Sequence, residues 1–209
     1  FKMSTYSEYL NFAKDIAKYA GEIMLKYFSK DNGEKYKGDK TIVTLADTEI
    51  NSYLINRVKE KYPSHAVDGE EEQFGESNYK WVCDPVDGTA MYARHIPVAV
   101  FSLALVIDGK PIVGVVYDPF TDSLYTAIKG EGAYKNNEKI SVNNYVLDDI
   151  RTVCHCDMWS KAKYNVCKVF EELRKKTRLN DIGSITRASC CVATVSYTHL
   201  RAHETDQYL

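Results

Sequence analysis

Apolar residues return at steps of three and four along the N-terminal stretch. Tyr6, Tyr9, Leu10, Ala13, Ile16, Ala17, Ala20, Ile23, Met24, Tyr27 and Phe28 line one side of a 3.6-residue repeat, which predicts an amphipathic helix. Thr5 with Glu8 makes a capping-box pattern at its start, and Lys30-Asp31-Asn32-Gly33 ends it. A second helix is predicted from about Thr44 to Tyr62 on Ile50, Leu54 and Val58, with Pro63 as its stop. The period then shortens. Trp81–Asp84, Val98–Ile107, Pro111–Asp118 and Ser123–Ile128 are short apolar runs, punctuated by Asp108-Gly109 and by Asp118-Pro119-Phe120-Thr121-Asp122. Asp-Gly between apolar runs signals a hairpin, so this part reads as an antiparallel meander. Val98–Ile107 hardly alternates, which predicts a strand covered by helices on both faces. The turn-rich Gly130–Val142 closes this half. A strand around Arg151–Cys156, a helix from about Ser160 to Lys176 and a strand near Leu179–Gly183 begin another. The class is a layered α+β fold, divided into an N-terminal part, residues 4–142, and a partial second part, residues 143–194. There is no internal repeat or low-complexity segment.

Composition narrows the picture mainly by exclusion. The chain has 209 residues, 44% hydrophobic and 27% charged, with a net charge of −2. That is the balance of a soluble globular protein and argues against a nucleic acid or membrane surface recognised through bulk charge. The apolar run Val98–Ile107 is about half of the ~20 residues a membrane-spanning helix needs. The N-terminus has no apolar signal core, so a cytoplasmic location is expected; Phe1 and Lys2 precede Met3, a candidate initiator. Cys83, Cys154, Cys156, Cys167, Cys190 and Cys191 follow neither zinc nor disulfide spacing and read as reduced thiols. The cationic run Arg174–Arg178 reads as a solvated helix end.

Chemistry concentrates in the acids. The apolar run Trp81–Cys83 ends in Asp84-Pro85-Val86-Asp87-Gly88-Thr89, the acidic Asp68–Glu72 lies upstream, and Asp47 falls in the first turn of the second helix. Each alone has a plain reading: a turn, a solvated loop, an acid that suits a helix dipole. Together, each at the end of a strand or helix, they point to a site. Carboxylates without histidine or thiolate select a hard cation, Mg²⁺ before Ca²⁺ or Mn²⁺. Two such ions can hold a phosphate ester and lower the pKa of an attacking water. A helix starting at Gly88-Thr89 would aim backbone N–H groups at the phosphate, with glycine allowing close approach.

Lys37, Thr44-x-x-Asp47, Gly69-Glu70-Glu71 and Asp84-Pro-Val-Asp87-Gly-Thr89 together resemble the inositol monophosphatase family of Mg²⁺-dependent, lithium-sensitive phosphatases. The likeness runs from about Ser4 to Thr194 and takes in Gly114–Pro119, Gly130–Tyr134 and Gly183-Ser184. It implies a layered α/β/α/β/α sugar-phosphatase fold and hydrolysis of a small phosphomonoester, myo-inositol monophosphate first. Fructose 1,6-bisphosphate, nucleoside bisphosphates and histidinol phosphate are the alternatives on the same scaffold. It also implies two or three Mg²⁺ ions. Glu70, Asp84 and the Val86 carbonyl would bind the first, and Asp84 and Asp87 the second. Thr89 with Glu70 would position the attacking water, and Asp47 would support Thr89 and a weaker metal site. The N–H groups of Gly88 and Thr89, with Gly183 and Ser184, would contact the substrate. Glu71 can be slid into the place of Glu70 by one position. The family's members are commonly homodimers. One departure is Ala90-Met91-Tyr92, where inositol-type members carry Thr-Asn-Phe. It bears on the alcohol more than on the phosphate chemistry. His95, beside a proline loop, reads as structural rather than as a general acid.

The end of the chain departs further. The family's second half carries a metal-binding aspartate in a Trp-Asp motif, and neither Trp81 nor Trp159 precedes an aspartate. Val195–Thr205 shows neither helical nor strand periodicity and resembles the translation of a transposase sequencing adapter, so residues 195–209 are expected not to be native sequence. On that reading His199, His203, Glu204 and Asp206 are not a metal cluster. The second half is then cut short, leaving a sheet edge and Ile185–Ala193 uncovered. The chain is expected to fold poorly and to hydrolyse little, or to be a non-catalytic metal-binding protein.

Overall fold

A computed structural model describes residues 6–30, 32–38, 42–156, 165–196 and 199–201. The chain divides into two compact units, Phe1–Lys139 and Ile140–Leu209. In the first, α1 (Ser7–Phe28) is followed by β1 (Lys35–Tyr36), β2 (Ile42–Val43) and α2 (Leu45–Lys61). Next come β3 (Ala66–Gly69), β4 (Gln73–Phe74), β5 (Tyr79–Asp87) and the short α3 (Thr89–Ala93). The series β6 (Val100–Ile107), β7 (Lys110–Asp118), β8 (Ser123–Ile128), β9 (Gly132–Lys135) and β10 (Glu138–Ile140) completes the sheet, in the order β10-β9-β8-β7-β6-β5-β3-β4. From β5 to β9 the neighbours pair antiparallel, the expected meander. β3 instead pairs parallel with β5, matching Gly69 with Cys83. That one parallel pair brings the loop after β3 beside the end of β5.

Both N-terminal helices form where the apolar period places them. Thr5 of the expected α1 cap lies outside the described residues, whereas the α2 start, Thr44 before Leu45, is seen. Their apolar stripes, among them Phe12, Ala13, Ile16, Ile50, Leu54 and Val58, join Trp81, Cys83, Phe101, Leu103, Leu105, Val113 and Val115 in one core. Register puts these sheet residues on one face, since Trp81 pairs with Leu105 and Cys83 with Leu103. The expectation that the β6 run is covered on both faces is corrected here. Phe101, Leu103 and Leu105 are buried, but Ser102, Ala104 and Val106 between them are only partly covered, and Val82, paired with Ala104, is 40% exposed. The run is unbroken because alanine and β-branched residues sit comfortably on a half-exposed strand face, so it does not require two covered faces.

The second unit contains β11 (Val153–Cys156), α4 (Val166–Arg174), β12 (Arg178–Asn180), α5 (Ile185–Ala193) and β13 (His199–Arg201), with its sheet ordered β12-β11-β13 and all pairs parallel. Trp159 and the expected helix start at Ser160 lie outside the described residues, and the helix is seen from Val166, capped by the Asn165 side chain, which accepts from the Lys168 N–H at 3.0 Å. The segment expected to be left uncovered, Ile185–Ala193, is a helix that buries Ala188 and Cys190. The C-terminal run expected to lack strand character supplies β13, which pairs His199 with Cys154. Three residues are too few for a period of two to register in sequence. His203, Glu204 and Asp206 lie outside the described residues. No helix among the described residues is long and apolar enough to cross a membrane.

Candidate functional site

The end of β5 is where a regular strand becomes a turn. Asp84 pairs with Ser102 and Asp87 with Val100, so three steps on β5 face two on β6, the signature of a bulge. Pro85 lacks an N–H for the ladder, and the Val86 N–H turns back to Asp84 Oδ1 at 3.1 Å. Gly88 takes φ +93°, a left-handed conformation that a side chain would disfavour, and its carbonyl then accepts the first bonds of α3, from the N–H groups of Met91 and Tyr92. The helix start read at Gly88-Thr89 is therefore present.

Three other segments meet this turn. Asp47, wholly buried in the first turn of α2, accepts the Thr44 N–H at 2.8 Å and the Thr44 hydroxyl at 2.5 Å through Oδ2. Its Oδ1 faces the Thr89 hydroxyl at 3.5 Å. That hydroxyl lies nearer the Val86 carbonyl, at 2.8 Å, and with one proton it donates to one of the two. Glu70 follows β3, and its N–H donates to the Cys83 carbonyl at 3.1 Å, which sets it beside Asp84. Lys37, after β1, reaches Glu70 Oε1 at 3.2 Å and Glu71 Oε1 at 2.5 Å.

The electrostatics are those of acids forced together. Burial, and then the charges of Asp87, Glu70 and Asp47, push the Asp84 carboxyl well above its ordinary range. Burial raises Asp47 to about 7, with Glu70 and Glu71 adding to it and the Thr44 bonds opposing it. The Cys83 thiol is raised by burial and by Asp84, Glu70 and Asp47, so it stays protonated and inert. Among the described residues no group of three or more His, Cys, Asp and Glu side chains is placed to hold a metal ion as it stands. The Glu70 and Asp84 side chains are hydrogen-bonded to each other, while Thr44 holds Asp47, the Val86 N–H holds Asp84, and Lys37 pairs with Glu70 and Glu71. The donor set nevertheless fits a hard divalent cation. It is all oxygen, it carries more negative charge than Lys37 offsets, and raised carboxyls are what a bound cation would relieve.

The remaining expected residues fall elsewhere. Gly183 and Ser184 lie in the second unit, where Gly183 has φ +70° and the Ser184 hydroxyl accepts the Arg187 N–H at the start of α5, at 3.1 Å. His95 is exposed, packs edge-on against Phe28, and its Nδ1 bonds to the Phe28 carbonyl at the end of α1, a structural use. Tyr92, singled out in the sequence, is buried with its hydroxyl on the Met24 carbonyl at 2.6 Å, a structural place the sequence did not reveal. The sequence reading missed Asn51, which grips the Glu71–Glu72 main chain. Its position one helical turn beyond Asp47 was the available signal.

Comparison with known proteins gives a consistent answer. Residues 5–209 match the model of the family described as "Inositol monophosphatase family". The chain is 36% identical over 143 residues to a tomato (Solanum lycopersicum) protein named inositol monophosphatase 3, covering 66% of this chain and 53% of that one. It is 36% identical over 146 residues to an Aquifex aeolicus protein named fructose-1,6-bisphosphatase/inositol-1-monophosphatase, covering 68% of this chain and 55% of the other. The chain thus spans about half the length of the curated relatives it matches. Among solved structures it resembles an IMPase of Thermotoga maritima, with TM-score 0.80, 26% identity and coverage of 88% of this chain and 72% of that one. A structure described as 2'AMP-bound SaIMPase-II matches with TM-score 0.75, 28% identity and coverage of 90% and 70%.

Proposed function

The chain belongs to the inositol monophosphatase family, and from that membership we propose that it carries the cation- and phosphate-binding part of a Mg²⁺-dependent phosphomonoester hydrolase. The substrate class is a small phosphorylated polyol or sugar, with myo-inositol monophosphate first. Fructose 1,6-bisphosphate stands close behind, because a relative carries both activities in its name. The observation that carries the reading is the Asp84–Thr89 turn, bulged and glycine-hinged, with Asp47 and Glu70 brought to it from separate elements.

Each residue then has a task. Glu70, Asp84 and the Val86 carbonyl would hold one cation, and Asp84 and Asp87 a second. When bound, such ions stabilise charge on the phosphate and on the leaving alkoxide and acidify a water. The Thr89 hydroxyl donates to Asp47 and accepts from the attacking water, which orients it, while Glu70 takes that water's other proton. The water oxygen bonds to phosphorus in line as the P–O ester bond breaks, and the leaving alkoxide takes its proton from a solvent water, with no phospho-enzyme. The N–H groups of Gly88 and Thr89 orient the phosphate, which Gly88, carrying no side chain, lets approach closely. Of the Ala90-Met91-Tyr92 departure, Ala90 and Met91 bear on the choice of alcohol, since Tyr92 is buried on the Met24 carbonyl. Lithium sensitivity, a cytoplasmic location and a homodimer belong to the same reading.

Titration calorimetry with Mg²⁺ on the 209-residue chain tests it. Binding by the wild type and its loss in both Asp84→Asn and Asp87→Asn are expected; wild-type affinity in either variant removes that residue from the ligand set.

A further inference from the structure

We propose that Asn51 is a positioning residue that fixes the acidic loop Glu70–Glu72, and with it the Glu70 carboxylate, beside Asp84. The inference rests on the reading of Glu70 and Asp84 as cation ligands.

Asn51 lies one turn beyond Asp47 on α2, so the two project from the same face. It is 1% exposed. Its Nδ2 donates to the Glu72 carbonyl at 3.0 Å, and its Oδ1 accepts the Glu71 N–H at 3.4 Å. Donor and acceptor ends of one amide are thus used on consecutive residues of one loop, which fixes the amide's orientation and the path of the chain. On the other side of that loop the Glu70 N–H is held by the Cys83 carbonyl of β5. Main-chain freedom is therefore removed at Glu70, Glu71 and Glu72 in turn. Gly69 shows how closely the loop folds over the amide. A Cβ there would stand 2.0 Å from Asn51 Oδ1 and 2.7 Å from the Glu72 carbonyl oxygen, so only glycine admits the contact.

Asp47 and Asn51 make α2 the common reference for two parts of the site. Asp47 faces the Thr89 hydroxyl, and Asn51 sets the loop that bears Glu70. A buried asparagine is expensive to leave unpaired, and here both of its polar ends are used on the loop that bears a proposed ligand. Groups that orient ligands without touching the metal commonly govern affinity about 10–100-fold.

The test compares wild type, Asn51→Ala and the smaller polar Asn51→Ser, which keeps a usable variant if alanine prevents folding. Mg²⁺ affinity is read by calorimetry, and amide hydrogen exchange is followed at Glu71 and along β6 and β7. The expected result is a Mg²⁺ affinity about tenfold weaker, with faster exchange at Glu71 and unchanged exchange in β6 and β7. Equal affinity in wild type and variants overturns the inference while leaving the ligand reading intact. Weaker affinity accompanied by uniformly faster exchange also overturns it, assigning Asn51 to general stability. Absence of Mg²⁺ binding by the wild type overturns the ligand reading and this inference with it.

Discussion

His65 shows how a single buried side chain couples to pH. Its Nδ1 accepts the Trp81 indole N–H at 3.2 Å, and its ring stacks on Tyr62 and Tyr79, with centroids 4.8 Å and 4.9 Å away. Trp81 can only donate, so the facing nitrogen must be without its proton. Burial holds the His65 pKa below the ordinary 6.5. The sign follows from linkage: the unfolded chain takes up a proton near pH 6.5, and the folded chain does so only at lower pH. This contribution is fully present above the unfolded pKa and is lost as pH falls through that value toward the folded one. Thermal midpoints measured from about pH 8 down to about pH 5.5 should therefore fall more steeply for wild type than for His65→Gln. Parallel slopes would show that His65 does not titrate differently on folding.

At the scale of elements, α1 is seated by a glycine. A methyl at Gly21 would lie 2.3 Å from Tyr117 Cε1 and 3.3 Å from Pro119 Cβ on the β7–β8 hairpin. Tyr117 is not free to swing away, because its hydroxyl donates to Asp122 at 2.8 Å. Overpacking costs about 1–3 kcal/mol and alanine's helix propensity offsets about 1, so Gly21→Ala should destabilise by up to about 2 kcal/mol in a urea titration. A more stable variant would mean that Tyr117 and Pro119 do not confine α1 at Gly21. The start of α2 carries a double role of the same kind. Asp47 closes the capping box with Thr44 through one oxygen and faces Thr89 through the other, so one carboxylate both caps a helix and reaches the Asp84–Thr89 turn.

At the scale of the molecule, the first unit holds one core and the whole acid neighbourhood, while Gly183 and Ser184 belong to the second. The chain spans about half of its curated relatives, and no Trp-Asp occurs in it.

Local signals in the sequence determined a good deal here. A period of 3.6 set the N-terminal helices, short apolar runs between turns set the meander, Asp-Gly set the β6–β7 hairpin, and the Asp84–Thr89 motif, with Asp47 and Glu70, marked the site and resembled the family. These are properties of neighbouring residues, so one chain read in order reveals them. Tertiary structure alone decided the parallel pairing of β3 with β5, which sets Glu70 beside Asp84, and the half-open second face of β6. It also decided the partners of Asn51, His65 and Tyr92: a loop main chain, an indole and a helix carbonyl. Each of these depends on residues distant in sequence meeting in space, and no local periodicity encodes which polar group a buried side chain will find.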